Sequence, residues 1–146
     1  MSADNDVMVA VKDRWDADAS LPTLVPGGLR SGRLVASTAT TPRAQLEVQQ
    51  GPTPNQYFAP ATVGKGYIDY RMVTLTVRGL KAAVETALDR VQVVFDWKTL
   101  TVSNATFLAC RPIDSPRLQI EGETKSGDDV WAGVAMYEVM TQRTIT

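Results

Sequence analysis

The side chains that most often act as general bases and nucleophiles near neutral pH are nearly missing from this chain, which has no histidine and one cysteine. Acid–base chemistry would fall to carboxylates, lysines and tyrosines. Two carboxylate pairs stand out, Asp16 with Asp18 and Asp128 with Asp129. The first pair lies two residues apart near the predicted end of a helix and would not share a helical face. The second follows Gly127 in a predicted turn, where aspartate is favoured by local backbone hydrogen bonding. Neither supplies the alternating acidic ligands, central glycine and distal glutamate of a calcium loop. Gly64-Lys65-Gly66 has the outline of a phosphate-binding loop, but Ala59 stands where the first glycine belongs and Gly66 where Ser or Thr should follow the lysine. Cys110 has no second cysteine to pair with and suits a buried strand position. These residues predict no catalytic group, no metal and no cofactor.

Arg30, Arg33 and Arg43 gather around a predicted first hairpin, a pattern that suits solvated surface or a wall facing phosphates. A net charge of −1 and a pI near 5.4 disfavour a dedicated nucleic-acid binder, whose footprint is basic. The composition, 44% hydrophobic and 21% charged, is that of an ordinary globular protein, and 146 residues correspond to a single domain. The first residues are acidic rather than the positive-then-apolar pattern of a secretory signal, and no stretch reaches the ~20 apolar residues that span a bilayer. The expectation is a chain that works in or assembles within a cytoplasm.

The periodicities predict a mostly antiparallel sheet of four to five strands with two helices packed on one face, an α+β architecture. A first helix over about 5–18 carries Val7, Ala10, Val11 and Trp15 on one stripe. Pro26-Gly27-Gly28 makes a tight turn, and Leu21, Leu24 and Val25 before it suggest a connection lying against the core. Strands are predicted over about 33–36, 43–50 and 67–78. In the last of these the apolar side changes partway, from Ile68, Tyr70 and Met72 to Val73, Leu75 and Val77, which calls for a bulge near Met72-Val73 or burial on both faces. The helix over about 80–96 has the widest apolar stripe: Leu80, Ala83, Val84, Ala87, Leu88, Val91, Val94 and Phe95. Strands over about 105–121 and 129–142 complete the chain, the former interrupted by Pro112 and Pro116. The closing strand is apolar on both faces, more than a sheet with one wet side requires. The stretch 56–66 has no period and reads as a partner-contacting arm.

On these features the chain resembles the small tail terminator, or tail-completion, proteins of long-tailed double-stranded DNA phages and gene transfer agents. The resemblance rests on the helix ending Arg14-Trp15-Asp16-Ala17-Asp18-Ala19-Ser20-Leu21 and on Leu24-Val25-Pro26-Gly27-Gly28-Leu29-Arg30-Ser31-Gly32-Arg33. It continues through the strand Pro42 to Val48, the strand ending Leu75-Thr76-Val77-Arg78, the long helix, and a last strand from Asp129-Val130-Trp131 to Gln142-Arg143. The resemblance implies a non-enzymatic virion protein, a hexameric ring at the tail–neck junction assembled in the host cytoplasm. It implies as partners other copies of itself, the tail tube protein and a neck or head-completion protein, with double-stranded DNA passing transiently through the lumen and no membrane. Tyr57, Phe58, Tyr67, Tyr70, Trp131 and Tyr137 are then the candidates for protomer contacts, and Arg30, Arg33, Arg43 and Lys65 for DNA-facing or neck-facing positions. Two other readings remain: a head-completion or connector protein of the same virion, and a small monomeric α+β binding module.

Overall fold

The structure, a computed structural model, describes residues 3–31, 41–57, 65–123 and 127–145. Along the chain come α1 (Ala3–Ala17), α2 (Leu21–Leu24), β1 (Leu29–Ser31), β2 (Arg43–Gln50), β3 (Gln56–Tyr57), β4 (Lys65–Gly79), α3 (Lys81–Phe95), β5 (Thr106–Pro112), β6 (Arg117–Glu123) and β7 (Asp129–Ile145). The strands form one sheet in the order β1-β2-β4-β7-β5, with β3 joining β4 and β6 joining β7. All pairings are antiparallel except β1 with β2. The fold is α+β, with helices packed on the sheet.

Strand β7 organises the sheet. It pairs with β4 in unbroken register from Lys65↔Ile145 to Gly79↔Trp131. Its other edge is shared by two strands, β6 along the N-terminal half and β5 along the C-terminal half. Pro112 and Pro116 explain the division, since a residue without an N–H cannot carry a ladder through that point.

One face of the sheet is covered by α1 and α3. Val73, Leu75 and Val77 of β4 and Ala135, Tyr137 and Val139 of β7 point to it and are buried with Val7, Val11 and Trp15 of α1 and Val84, Leu88, Val91 and Phe95 of α3. Fully burying a side chain of this size stabilises the fold by about 1.5–3 kcal/mol. Helix α3 lies directly on Gly133 of β7: a Cβ there would collide with Leu88 and come within 2.7 Å of Val84 Cγ1. The Pro-Gly-Gly turn serves the opposite edge. Gly28 has φ 78°, a left-handed conformation that suits glycine, and Gly27 sits where a Cβ would lie 2.7 Å from Pro42 O. Its backbone bonds, Gly27 N to Pro42 O and Ala44 N to Gly28 O at 3.0 Å each, start the parallel β1–β2 pair.

Several expectations need correction. Among the described residues the sheet has seven strands, more than the four to five expected, because the short β1 and β3 add to it. The predicted strand over 33–36, and with it the predicted first hairpin, lies outside the described residues; the strand that pairs with β2 on this edge is β1, which runs parallel to it. Leu21–Leu24 is a short helix whose Leu21 is fully buried, so the segment does lie against the core. The side change in β4 involves no bulge, since its registers with β2 and β7 are continuous. The other expected explanation holds in part: on the helix-free face Tyr70 is buried and Met72 partly buried, opposite the buried Asp69 and Val73. The turn 51–55 folds over the helix-free face, with Gly51 N donating to Tyr70 O at 3.0 Å and Thr53 Oγ1 to Glu138 Oε2 at 2.8 Å. On the helix side β7 is buried by its own chain from Gly133 to Arg143 while Trp131 stays partly exposed, and on the other side Val134, Met136 and Met140 keep partial exposure.

Candidate assembly surface

The structure separates the residues singled out in the sequence. Phe58 and Arg33 lie outside the described residues, and for Tyr57 and Lys65 the backbone alone is described. Tyr70 and Tyr137 are buried by their own chain, at 6% and 2% exposure, so neither ring is on the protomer surface. Tyr70 is covered by the 51–55 turn, and Tyr137 lies in the core against Phe95. Tyr67 and Trp131 keep partial exposure. Arg30 and Arg43 both lie on the helix-free face at one edge of the sheet, Arg30 in register with Gln45 and Arg43 with Arg78. Arg78 in turn donates from Nε to Glu121 at 2.7 Å, reaching across β7 to β6.

Conventional chemistry finds little to work with. No group of three or more His, Cys, Asp or Glu among the described residues could hold a metal ion. Burial, reinforced by the nearby Asp96 carboxylate, pushes the Cys110 thiol up to about 12, far from nucleophilic at neutral pH. The Tyr137 hydroxyl is also raised, by burial first and then by donating to Asp96 Oδ1 at 2.6 Å. Asp18 is drawn down to about 2 by its hydrogen bonds from Arg90, helped by the backbone N–H groups of Leu21 and Ser20. It acts as a clamp tying the α1–α2 corner to α3.

Apart from Leu108 of β5 (42% exposed), the exposed large apolar side chains among the described residues fall near the two ends of α3. At its N-terminal end, Leu80 (41% exposed) stands beside Trp131 of β7, and β6 adds Leu118 (37%) and Ile120 (56%), which is in register with Trp131. Lys81 Nζ lies 5.0 Å from the centre of the Trp131 ring, a cation–π contact. At the C-terminal end, Val93 (57%) borders a groove of about 650 Å³ between α1 and α3, lined also by Val9, Arg14, Lys98 and Leu100, and Trp97 (65%) stands just past the helix. A 15-residue helix separates the patches by about 22 Å.

The turn that presents Trp97 is unusual. Asp96 caps α3 through its N–H to Gln92 O, and Trp97 follows at φ 57°, the left-handed position that glycine normally takes after a helix. Two distant strands pin it there. Tyr137 of β7 donates to the Asp96 carboxylate, and Trp97 N–H donates to Cys110 O of β5 at 2.9 Å. Trp97 falls outside every periodic pattern of the sequence, although a tryptophan just beyond the last apolar residue of a helix, where glycine is expected, is a readable signal.

No protein-family model and no curated protein matches the chain. Among solved structures it is similar to a chain of the virion of a native gene transfer agent particle, with 15% sequence identity and a TM-score of 0.66. What the two share is a fold. The match covers 97% of this chain and 99% of that one, so it extends over the whole arrangement rather than one motif.

Proposed function

We propose that this chain is a non-enzymatic structural protein of a virion, closing with other copies into a ring, hexameric, that ends a tail tube and joins the tail to the neck. The observation that carries this reading is the pair of apolar patches at opposite ends of α3. Two different surfaces on one chain make a head-to-tail contact, and such contacts close into rings when the rotation between copies allows. The end-to-end likeness to a chain of a gene transfer agent virion supplies the context.

The helix-free face of the sheet suits a passage for DNA. It carries Gln45, Thr74 and Thr76 together with the neutralised pairs Arg78–Glu121 and Arg111–Glu138, with Arg30 and Arg43 at one edge. A wall of this kind is wettable without gripping phosphates, which a strongly basic wall would do.

Two measurements test the reading. Native mass spectrometry at micromolar concentration should give a closed oligomer; a monomer would exclude the ring. Tail tubes polymerised from the tube protein encoded nearest this chain should stop lengthening when it is added, as seen by negative-stain microscopy. Tubes of unchanged length would exclude the capping role.

A further inference from the structure

We infer that neighbouring copies join edge to edge, β6 of one pairing antiparallel with β1 of the next, so that the sheet runs unbroken around the ring. The inference rests on the ring reading and names one contact between neighbours.

The two strands are the opposite ends of one row. Leu29 of β1 is in register with Ala44, Ala44 with Val77, Val77 with Gly133, and Gly133 with Leu118 of β6. Both edges therefore stand at the same height of the sheet, and among the described residues no strand lies beyond either. Strand β1 runs parallel to β2 while every later step reverses, so β1 and β6 point in opposite directions. Copies standing side by side with their strands along the ring axis keep those directions, and the facing edges meet antiparallel, the slightly more stable arrangement. An outer edge offers unpaired N–H and C=O groups, and natural edges are blunted by brevity, charge or a bulge. On β6 every residue from Arg117 to Gly122 is exposed, Leu118 and Ile120 by 37% and 56%, and the bulge comes only after Ile120. That is an edge left open to pairing along its first half.

A second copy is the occupant because this chain itself carries the complementary edge, matched in height, direction and face. Leu118 and Ile120 lie on the helix side, as Leu29 and Ser31 do, while Arg117 and Gln119 lie on the helix-free side with Arg30. The row continued without a slip would set Arg30 opposite Arg117, a repulsive pair, and Ser31 opposite Pro116, which has no N–H to donate. A slip of two residues keeps the faces matched and sets Arg30 opposite Gln119 and Ser31 opposite Leu118. Closing a sheet on itself requires a stagger of this kind. Charge does not select the partner, since Arg117 and Glu121 on either side of Gln119 are joined to Asp114 and Arg78 of their own copy. Five strands per row in the six copies of the proposed ring, at ~4.8 Å each, give a circumference of roughly 140 Å and a barrel about 45 Å across. The bulkier helices take the outer, longer circumference, and the helix-free face turns inward.

Cross-linking of the full chain tests the contact. Arg30 and Gln119 are both exposed, so cysteine at either position leaves the core intact, and the native Cys110 is buried out of reach. Within one copy the two positions are four strand spacings apart, about 19 Å, far beyond what a disulfide spans. The double variant Arg30→Cys/Gln119→Cys, mildly oxidised, should therefore run on a non-reducing gel as a series of covalent multimers up to the full ring. Each single variant should stay at the monomer mass. Cross-linking through Arg30→Cys/Arg117→Cys in its place would support the same contact in the unslipped register. Covalent dimers from Gln119→Cys alone would overturn it, since β6 would then meet β6 about a two-fold axis. Rings of wild-type size by native mass spectrometry, with neither double variant cross-linking, would overturn the edge contact and leave the ring reading in place. A wild-type chain that is monomeric would remove the ring reading, and the contact with it.

Discussion

Along β4 and β7 the helix-covered face is filled by hydrocarbon from Val73 to Val77 and from Gly133 to Val139, whereas a few residues further along the same strands it is filled by charge. There Asp69 and Arg71 of β4 and Thr141 and Arg143 of β7 meet Asp4 and Asp6 from the first turn of α1. Arg143 Nη1 donates to Asp6 Oδ2 at 3.0 Å, and Arg71 donates to Asp69 Oδ1 at 2.8 Å and to Asp4 Oδ1 at 2.9 Å. Asp6, Asp69, Thr141 and Arg143 are nearly as hidden from water as the hydrocarbon, whereas Asp4 is 44% exposed, and the two regions differ in what hiding costs. Hydrocarbon gains on burial wherever it finds contact, while buried ions must recover their hydration through partners. The recovery is incomplete, since Asp6 Oδ1, Thr141 Oγ1 and Arg143 Nε and Nη2 have no hydrogen-bond partner among the described residues. The charged end is therefore better understood as fixing where α1 sits than as a source of net stability.

Breaking one partner at the charged end should have the largest effect. Asp6→Ala strands Arg143 in a site where its side chain is 8% exposed and should cost about 3–5 kcal/mol in urea unfolding. Replacing both partners by apolar residues, Asp6→Leu with Arg143→Met, should recover most of that loss. A double variant as unstable as the single one would show that the pair itself is stabilising. At the hydrocarbon end, Leu75→Ala should cost about 2–5 kcal/mol through lost burial and a residual cavity, and no second substitution at a polar site should rescue it.

A smaller effect tests the charge contribution away from both ends. The Asp18 carboxyl, at 3.8 in the ordinary state and about 2 here, is depressed by folding. Its stabilisation is therefore complete above about pH 4 and is lost as pH falls toward 2, amounting to about 1–2 kcal/mol because water screens the 36% exposed Arg90 side chain. Acid unfolding of Asp18→Asn should lack that component, and an identical profile would remove Asp18 as its source. The smallest effect is expected at Cys110, which should react with a thiol reagent at neutral pH only as fast as the fold opens.

The contrast also shows what a sequence can reveal. Helix α3 was legible within a residue at either end because its stripe is continuous, and the two prolines correctly foretold a break between β5 and β6. Alternation in β4 and β7 showed that both faces were apolar, yet it could not say which would receive helices. Nor could it show that the 51–55 turn would bury Tyr70 while α3 left Trp131 half open. The parallel β1–β2 pair depended on backbone bonds from Gly27 and Gly28 to a segment about fifteen residues away. The Trp97 turn is set by Cys110 and Tyr137, at distances along the chain that no local pattern spans.

Strand β7 follows in the chain every strand it joins, and it holds β4, β5 and β6 together. A growing polypeptide therefore has those three strands made, with their partner still to come. Pairings of such long separation are slow to form, and unpaired strands are prone to adhere to other chains. Producing this protein at high level should accordingly favour slow translation or a chaperone that shields the waiting strands until the final stretch emerges.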